Sequence, residues 1–325
     1  MIERRICNKE GCYAPKDFCI ELAGPLHERC QFFGESGTIE LIAKKSEGTT
    51  PIPWTGEWLQ PEQLDLLTHR GSTKIIGLVG SSGAGKTTYL AMLYSLLFNG
   101  MQIEDWTFAG SYTLDGWELQ AKTLQVHADG TVRNPDATPS DKDFYSLYHF
   151  ALRHDSYLHD ILFADSSGEV FSKWADNIND PAAENAMWIY DNANAFLFFV
   201  DCEAIINQRG RARRDIAQLA EQIKSGLRGR PVVIVWSKAD LAEGMRENIV
   251  NAIRQSLSTT FPGALSFEIS NYSKSDSDEL CHINNLAVAK TLLDQLASPY
   301  GLHIEPATAQ TNDFFFKYRG SYDSK

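Results

Sequence analysis

Short apolar runs recur through the middle of the chain, at Ile75–Val79, Ile161–Ala164, Phe196–Val200, Val232–Trp236 and, interrupted by Ser266 and Glu268, Leu265–Ile269, each ending in a polar or glycine turn. Between them the apolar positions fall into the three-and-four spacing of a helix face, over Thr87–Leu97, Arg213–Lys224, Met245–Leu257 and Asn284–Leu296. A strand that is apolar throughout is buried on both faces. Such strands alternating with helices predict an α/β fold, a mainly parallel sheet covered by helices on both sides in three layers. A further strand-like run, Phe144–Leu152, precedes the second of these strands.

The same patterning divides the chain. Residues 1–73 form a Cys-rich N-terminal module with a connecting segment, which contains a candidate strand at Thr38–Ala43 and a loop-like Pro51-Ile-Pro-Trp-Thr-Gly-Glu-Trp58. Residues 74–298 carry the alternating pattern. Residues 299–325 read as a tail whose one feature is the aromatic cluster Phe314-Phe-Phe-Lys-Tyr318. The stretch from Gly100 to Thr138 is longer than the sheet needs, so an inserted element or a long switch segment is expected there.

The turn after Ile75–Val79 reads Gly80-Ser81-Ser82-Gly83-Ala84-Gly85-Lys86-Thr87-Thr88, which satisfies G-x-x-x-x-G-K-[ST]. Its glycines let backbone N–H groups converge on phosphate oxygens, and the N-terminus of the following helix adds positive potential. Lys86 is placed to reach the β- and γ-phosphates and the Thr87 hydroxyl to ligate Mg²⁺. A nucleoside phosphate is therefore the expected ligand, on a P-loop NTPase sandwich.

Two later strand ends refine that expectation. Asp165-Ser-Ser-Gly168-Glu169 follows Ile161–Ala164. A carboxylate at a central strand end suits Mg²⁺, and a glycine three residues on lets a backbone N–H meet the γ-phosphate. Ser237-Lys238-Ala239-Asp240 follows Val232–Trp236. A carboxylate at Asp240 can accept from guanine N1–H and the exocyclic amine together, a donor pair that adenine lacks. The Lys238 stem would cover the base plane.

This order of motifs resembles the TRAFAC clade of GTPases, whose base motif reads N-K-x-D. Ser237 departs from that Asn, and a smaller hydroxyl predicts a weaker tie between this loop and the phosphate loop. Ser270, in Ser270-Asn271-Tyr272, stands where the class carries a serine-containing loop near the guanine carbonyl. The resemblance also implies a switch threonine that reaches Mg²⁺. Thr138, in Asn134-Pro-Asp-Ala-Thr-Pro139, is the first candidate and Thr113 its rival. Across residues 74–298 the chain is similar to the bacterial double-GTPase group, associated with multigene conflict or defence systems. That resemblance implies GTP or GDP with Mg²⁺, protein partners from such a system, and a catalytic set of Lys86, Thr138, Gly168 and Glu169.

Glu169 occupies the position where many relatives carry Gln to orient water. A carboxylate there faces the γ-phosphate charge, so slow hydrolysis, or hydrolysis assisted by a partner, is expected. Ser82 would crowd an incoming arginine finger, and Arg133 is a candidate to act from within the chain, against the simpler reading of an exposed loop arginine. The expected function is a slow, Mg²⁺-dependent GTPase switch controlling a partner complex. A GTP-binding assembly subunit with negligible hydrolysis is the alternative, and an ATP-using P-loop protein a weaker one.

Composition mainly excludes. Among 325 residues, 42 are acidic and 30 basic, a net charge of −12. That disfavours general nucleic-acid binding and docking on anionic membranes. The basic run Arg209-Gly-Arg-Ala-Arg-Arg214 opens a predicted helix and reads as a solvated face. No apolar run approaches the ~20 residues of a membrane span, and the opening Met-Ile-Glu-Arg-Arg carries no apolar leader, so a cytoplasmic location is expected. Four of six cysteines, Cys7, Cys12, Cys19 and Cys30, lie in the first thirty residues with His27 among them. They are candidate ligands of a structural Zn²⁺, although the irregular spacing leaves packed free thiols as the other reading. His149, His154 and His159 recur every fifth residue and read as ordinary core or surface histidines.

Overall fold

All seven residues of the strand Ala195–Asp201 are buried, because helices cover the sheet on both sides. The computed structural model describes residues 30–32, 56–69, 71–124, 138, 145–178, 180–271 and 278–297, with the backbone of 304–306 and 318–320. Contacts divide the chain into two compact units, Met1–Ile52 and Pro53–Lys325. In the first, Cys30 is buried and unbridged. Cys7, Cys12, Cys19, His27, the Thr38–Ala43 run and, in the second unit, Arg133 and Phe314 lie outside the described residues.

The second unit runs, in chain order, α1 (Asp65–Thr68), β1 (Ser72–Val79), α2 (Lys86–Phe98), β2 (Trp106–Gly110), α3 (Leu114–Lys122), β3 (Ser146–His154), β4 (Tyr157–Asp165), α4 (Gly168–Asp176), α5 (Glu184–Asn192), β5 (Ala195–Asp201), α6 (Cys202–Gln208), α7 (Gly210–Lys224), β6 (Val232–Ser237), α8 (Glu247–Thr260), β7 (Leu265–Glu268) and α9 (Asn284–Ala297). The sheet order is β2-β3-β4-β1-β5-β6-β7. The five strands β4, β1, β5, β6 and β7 pair in parallel. β2, β3 and β4 pair antiparallel. The apolar runs and helix faces read from the sequence each become an element, with boundaries shifted by a few residues.

Alternation along the strands sorts their side chains into two cores. Ala195, Leu197 and Phe199 join Leu90, Leu93, Trp117 and Leu292 beneath α2, α3 and α9. Phe196, Phe198 and Val200 join Phe171, Trp174, Leu219 and Leu257 beneath α4, α7 and α8. Each fully buried side chain of this size contributes roughly 1.5–3 kcal/mol. Trp117, Trp174 and Trp236 are among the largest side chains wholly buried. The tryptophans described at those positions pack.

Two elements were not separately legible. The long stretch after Gly100 contains β2 and α3, an edge strand and a helix, and β2 lacks an apolar run because only Trp106 in it is buried. The strand expected at Phe144–Leu152 is β3, displaced to Ser146–His154. It forms a hairpin with β4 of nine registered pairs, from Ser146 opposite Asp165 to His154 opposite Tyr157. Asp155 takes the left-handed conformation (φ 52°) in the two-residue turn. In the segment read as a tail, Ile304–Pro306 (β8) pairs antiparallel with Tyr318–Gly320 (β9).

Candidate functional site

The carboxyl ends of β1, β4, β5, β6 and β7 converge at one edge of the sheet, where open α/β folds bind ligands. At its centre the loop Gly80–Gly85 joins β1 to α2. Gly85 caps α2 at φ +80°, a conformation that side chains resist. The Lys86 ammonium donates to the carbonyl oxygens of Gly80 and Ser81, both at 3.1 Å. Burial pushes Lys86 down to about 8, opposed by the nearby Asp165 and Asp201 carboxylates. Around it Ser82 and Gly83 are exposed, Ser81, Thr87 and Thr88 half-buried, and Ala84 buried.

The Thr87 hydroxyl donates to Asp165 Oδ2 at 2.6 Å, and Thr138 Oγ1 stands 3.0 Å from Thr87 Oγ1. Asp165 Oδ1 is buried without a hydrogen-bond partner among the described residues. Burial raises the Asp165 carboxyl above its usual range, against the pull of Lys86, Thr87 and Thr138. Two hydroxyls and a carboxylate with an unsatisfied oxygen form a hard, all-oxygen donor set that fits Mg²⁺. Of the two candidate threonines, Thr138 is the one brought to this corner. Thr113 is wholly buried, and its Oγ1 accepts from the His149 backbone N–H at 2.9 Å.

Gly168 opens α4, with Ser167 as its cap. Its Cα packs directly on the Ser81–Ser82 peptide, so that a Cβ there would overlap the Ser82 nitrogen and the Ser81 carbonyl. Glu169 follows on the exposed side of the helix start.

On the other side of Gly85, β6 delivers Ser237, Lys238 and Asp240. Ser237 is fully buried and its Oγ donates across the sheet to the Val200 carbonyl at 3.4 Å. Lys238 sits at φ 56° and its ammonium pairs with Asp201 at 3.0 Å and Glu203 at 2.7 Å. Burial lowers the Lys238 pKa, but the two carboxylates outweigh it and the net direction is upward. Asp240 is half-buried in the first turn of a 3₁₀ segment, Ala239–Gly244. After β7, Ser270 is buried; its N–H donates to the Leu280 carbonyl, and its carbonyl accepts from Asn285 Nδ2 at 3.1 Å.

Sequence reasoning passed over Asp201, Glu203, Asn271 and Asn285. Asp201 had a visible signal, since it ends an apolar strand as Asp165 does. It also passed over the pair His149–Asp160, buried inside the β3–β4 hairpin, with Nε2 2.9 Å from Oδ1 and Nδ1 accepting from the Tyr112 N–H. His154 and His159 instead flank the Trp106 ring. The basic run at the start of α7 is exposed, with Arg211 3.7 Å from Asp215.

A cleft of about 590 Å³ opens beside the loop, lined by Ser81, Ser82, Gly83, Asp201, Glu203 and Lys238 among others. A larger one, about 870 Å³, lies between α2 and α3 around Tyr94, Phe98 and Glu118, away from these groups. Among the described residues no helix is long and apolar enough to cross a membrane, and no three or more His, Cys, Asp or Glu side chains are grouped so as to hold a metal ion.

A family model described as Double-GTPase 2 matches residues 74–297, more than half of the chain and the whole of this site. Comparison with curated proteins returns no match.

Proposed function

The chain belongs to the Double-GTPase 2 family, and on that premise we propose that it is a Mg²⁺-dependent guanine-nucleotide switch that hydrolyses GTP slowly to GDP and phosphate and thereby controls a partner complex. The observation that carries this reading is the convergence of Thr87, Thr138 and Asp165, contributed by the phosphate loop, the segment before β3 and the end of β4. Mg²⁺ bound there would neutralise charge on the β- and γ-phosphates. Lys86 leaves its carbonyl partners to meet the phosphate oxygens. Thr138 and Gly168 sense the γ-phosphate from two sides, and Glu169 stands beside it. Asp240 selects guanine, Lys238 lies along the base, and Ser270 shapes the loop on the base's far side.

Single-turnover hydrolysis of GTP beside ATP, with and without Mg²⁺, tests the reading, with Lys86→Ala as the inactive reference. GTP turnover that needs Mg²⁺ and Lys86 supports it, and equal use of ATP and GTP overturns the base assignment. Glu169 favours a second reading, a GTP-binding assembly subunit in which nucleotide is a structural ligand. GTP bound tightly and left intact in the same assay would establish it. Partners from a multigene system belong to the proposal through the family's associations. So does structural Zn²⁺ on Cys7, Cys12, Cys19, His27 and Cys30, for which metal analysis of protein purified without chelators should return about one equivalent.

A further inference from the structure

Ser237 cannot do the work of an amide. Its side chain is fully buried and its hydroxyl is engaged with Val200 on the neighbouring strand. The base motif therefore reaches the phosphate loop with a Cβ and little else. The space over Gly85 is nevertheless lined from two sides. The point where a Cβ would sit on Gly85 is 3.8 Å from Ser237 Cβ and 3.7 Å from the Asn271 side-chain nitrogen. Asn271 lies in the loop after β7, one residue beyond Ser270, and it is more than nine-tenths buried. Among the described residues its Oδ1 has no hydrogen-bond partner.

A buried amide with an unsatisfied end is costly, by the desolvation of that group, unless a ligand or a rearranged neighbour satisfies it. The loop that carries it is braced for the task. Asn285 Nδ2 holds the Ser270 and Cys281 carbonyls at 3.1 and 2.6 Å, and the Ala239 N–H donates to the Ile269 carbonyl at 2.9 Å, fastening the Asp240 turn to the same strand end. Asn271 is thus held next to the N-cap of α2 and the motif that reads the base.

We infer that Asn271 supplies the amide function that Ser237 lacks. It donates from its side chain to N7 of the bound purine and ties the base-side loop to Gly85, from the loop after a different strand than the one that carries the base motif. This rests on the nucleotide site proposed above and deepens it, by assigning the N7 edge to Asn271 and leaving the N1/amine edge to Asp240. The two oxygen and nitrogen positions of an amide interchange by a 180° rotation about its last bond, so the observed orientation does not restrict the donor.

The test is calorimetric binding of GDP and 7-deaza-GDP, which lacks the N7 acceptor, to the full chain and its variants. Asn271→Ala should weaken GDP by roughly three- to tenfold, the range of one hydrogen bond between neutral groups. The unmodified protein should bind 7-deaza-GDP about as weakly, and Asn271→Ala should lose nothing more toward that analogue. Asn271→Asp keeps the size and removes the amide donor, so, whatever its effect on stability, it should bind GDP and 7-deaza-GDP equally, as Asn271→Ala does. Adding Ser237→Asn to Asn271→Ala should recover GDP affinity, since the amide then returns on β6. Full GDP affinity in Asn271→Ala, or equal losses toward GDP and 7-deaza-GDP, overturns the inference. ADP also carries N7, so the same comparison with 7-deaza-ADP separates the two claims. ADP binding as tightly as GDP would defeat the guanine reading while the Asn271 result still stood or fell on the deaza pair.

Discussion

Gly168 rests on Ser82: the Ser82 nitrogen and the Ser81 carbonyl occupy the volume that a Cβ on Gly168 would need. The start of α4 and the phosphate loop are therefore in direct backbone contact, and any side chain at 168 must push them apart. Overpacking of this kind costs about 1–3 kcal/mol. On the proposed reading GDP meets the loop and not α4, so Gly168→Ala should leave GDP affinity within a few-fold of the unmodified protein and should reduce single-turnover GTP hydrolysis sharply. Unchanged turnover would show that this contact has no part in the cycle.

On the proposed reading, base choice depends on Asp240. Asp240→Asn should weaken GDP by about 1.5–3 kcal/mol for each charge-assisted hydrogen bond lost. The amide can donate to the xanthine 2-oxygen, so the variant should gain affinity for XDP. Competition of GDP, XDP and ADP against a fluorescent nucleotide measures all three, and a variant indifferent to XDP would remove Asp240 from the base edge.

On the proposed reading, Glu169, exposed in the first turn after Gly168, presents a carboxylate beside the position where transition-state charge builds. Removing that charge while keeping the shape should help. Glu169→Gln is expected to preserve or raise intrinsic turnover without altering GTP affinity, and the isolated chain should be slow until a partner supplies a cation, an effect of about 10³ to 10⁵ in this chemistry. Fast hydrolysis by the unmodified chain that disappears in Glu169→Gln would instead make Glu169 a general base.

Asn285 spans the loop after β7 and the π turn Glu279–Ile283 before α9, donating to Ser270 and Cys281. Asn285→Ala removes both of these bonds and should cost about 1–3 kcal/mol of stability, read as a lower urea midpoint. Guanine-nucleotide affinity should fall with it, since Asn271 loses its brace. A large stability loss with affinity intact would confine Asn285 to the scaffold.

The parts of this molecule most legible in the sequence are those in which chemistry and periodicity coincide. The phosphate loop is flanked by an all-apolar strand and a helix, and Asp165 and Asp240 stand at the ends of runs that are visibly strands. The loop after Gly100 was legible only as surplus length, because β2 exposes Thr107, Phe108 and Ala109 and so carries no strand pattern. The antiparallel turn of β3 against β4 was hidden because both strands are apolar enough to pass for parallel ones. Asn271 and Asn285 were hidden for another reason: a buried asparagine has no periodic or motif signature, and its role is defined by carbonyls and a glycine far away in sequence. Thr138 could be preferred over Thr113 by position alone, and only the chain's path shows Thr113 sealed against His149.

The β3–β4 hairpin sets a limit on timing. Its nine consecutive pairs begin with Ser146 opposite Asp165, so the strand entered from Thr138 and the strand that leaves toward Gly168 share their first rung. The backbone bonds along that ribbon are bonds between the two strands themselves, and slipping one strand past the other would turn every side chain of the ribbon to the wrong face. The two segments that would report on the γ-phosphate are hinged to a single stiff bar. If the proposed cycle operates, their return after hydrolysis should be one event with one rate constant, and probes placed on Ser146 and on Gly168 should record the same relaxation.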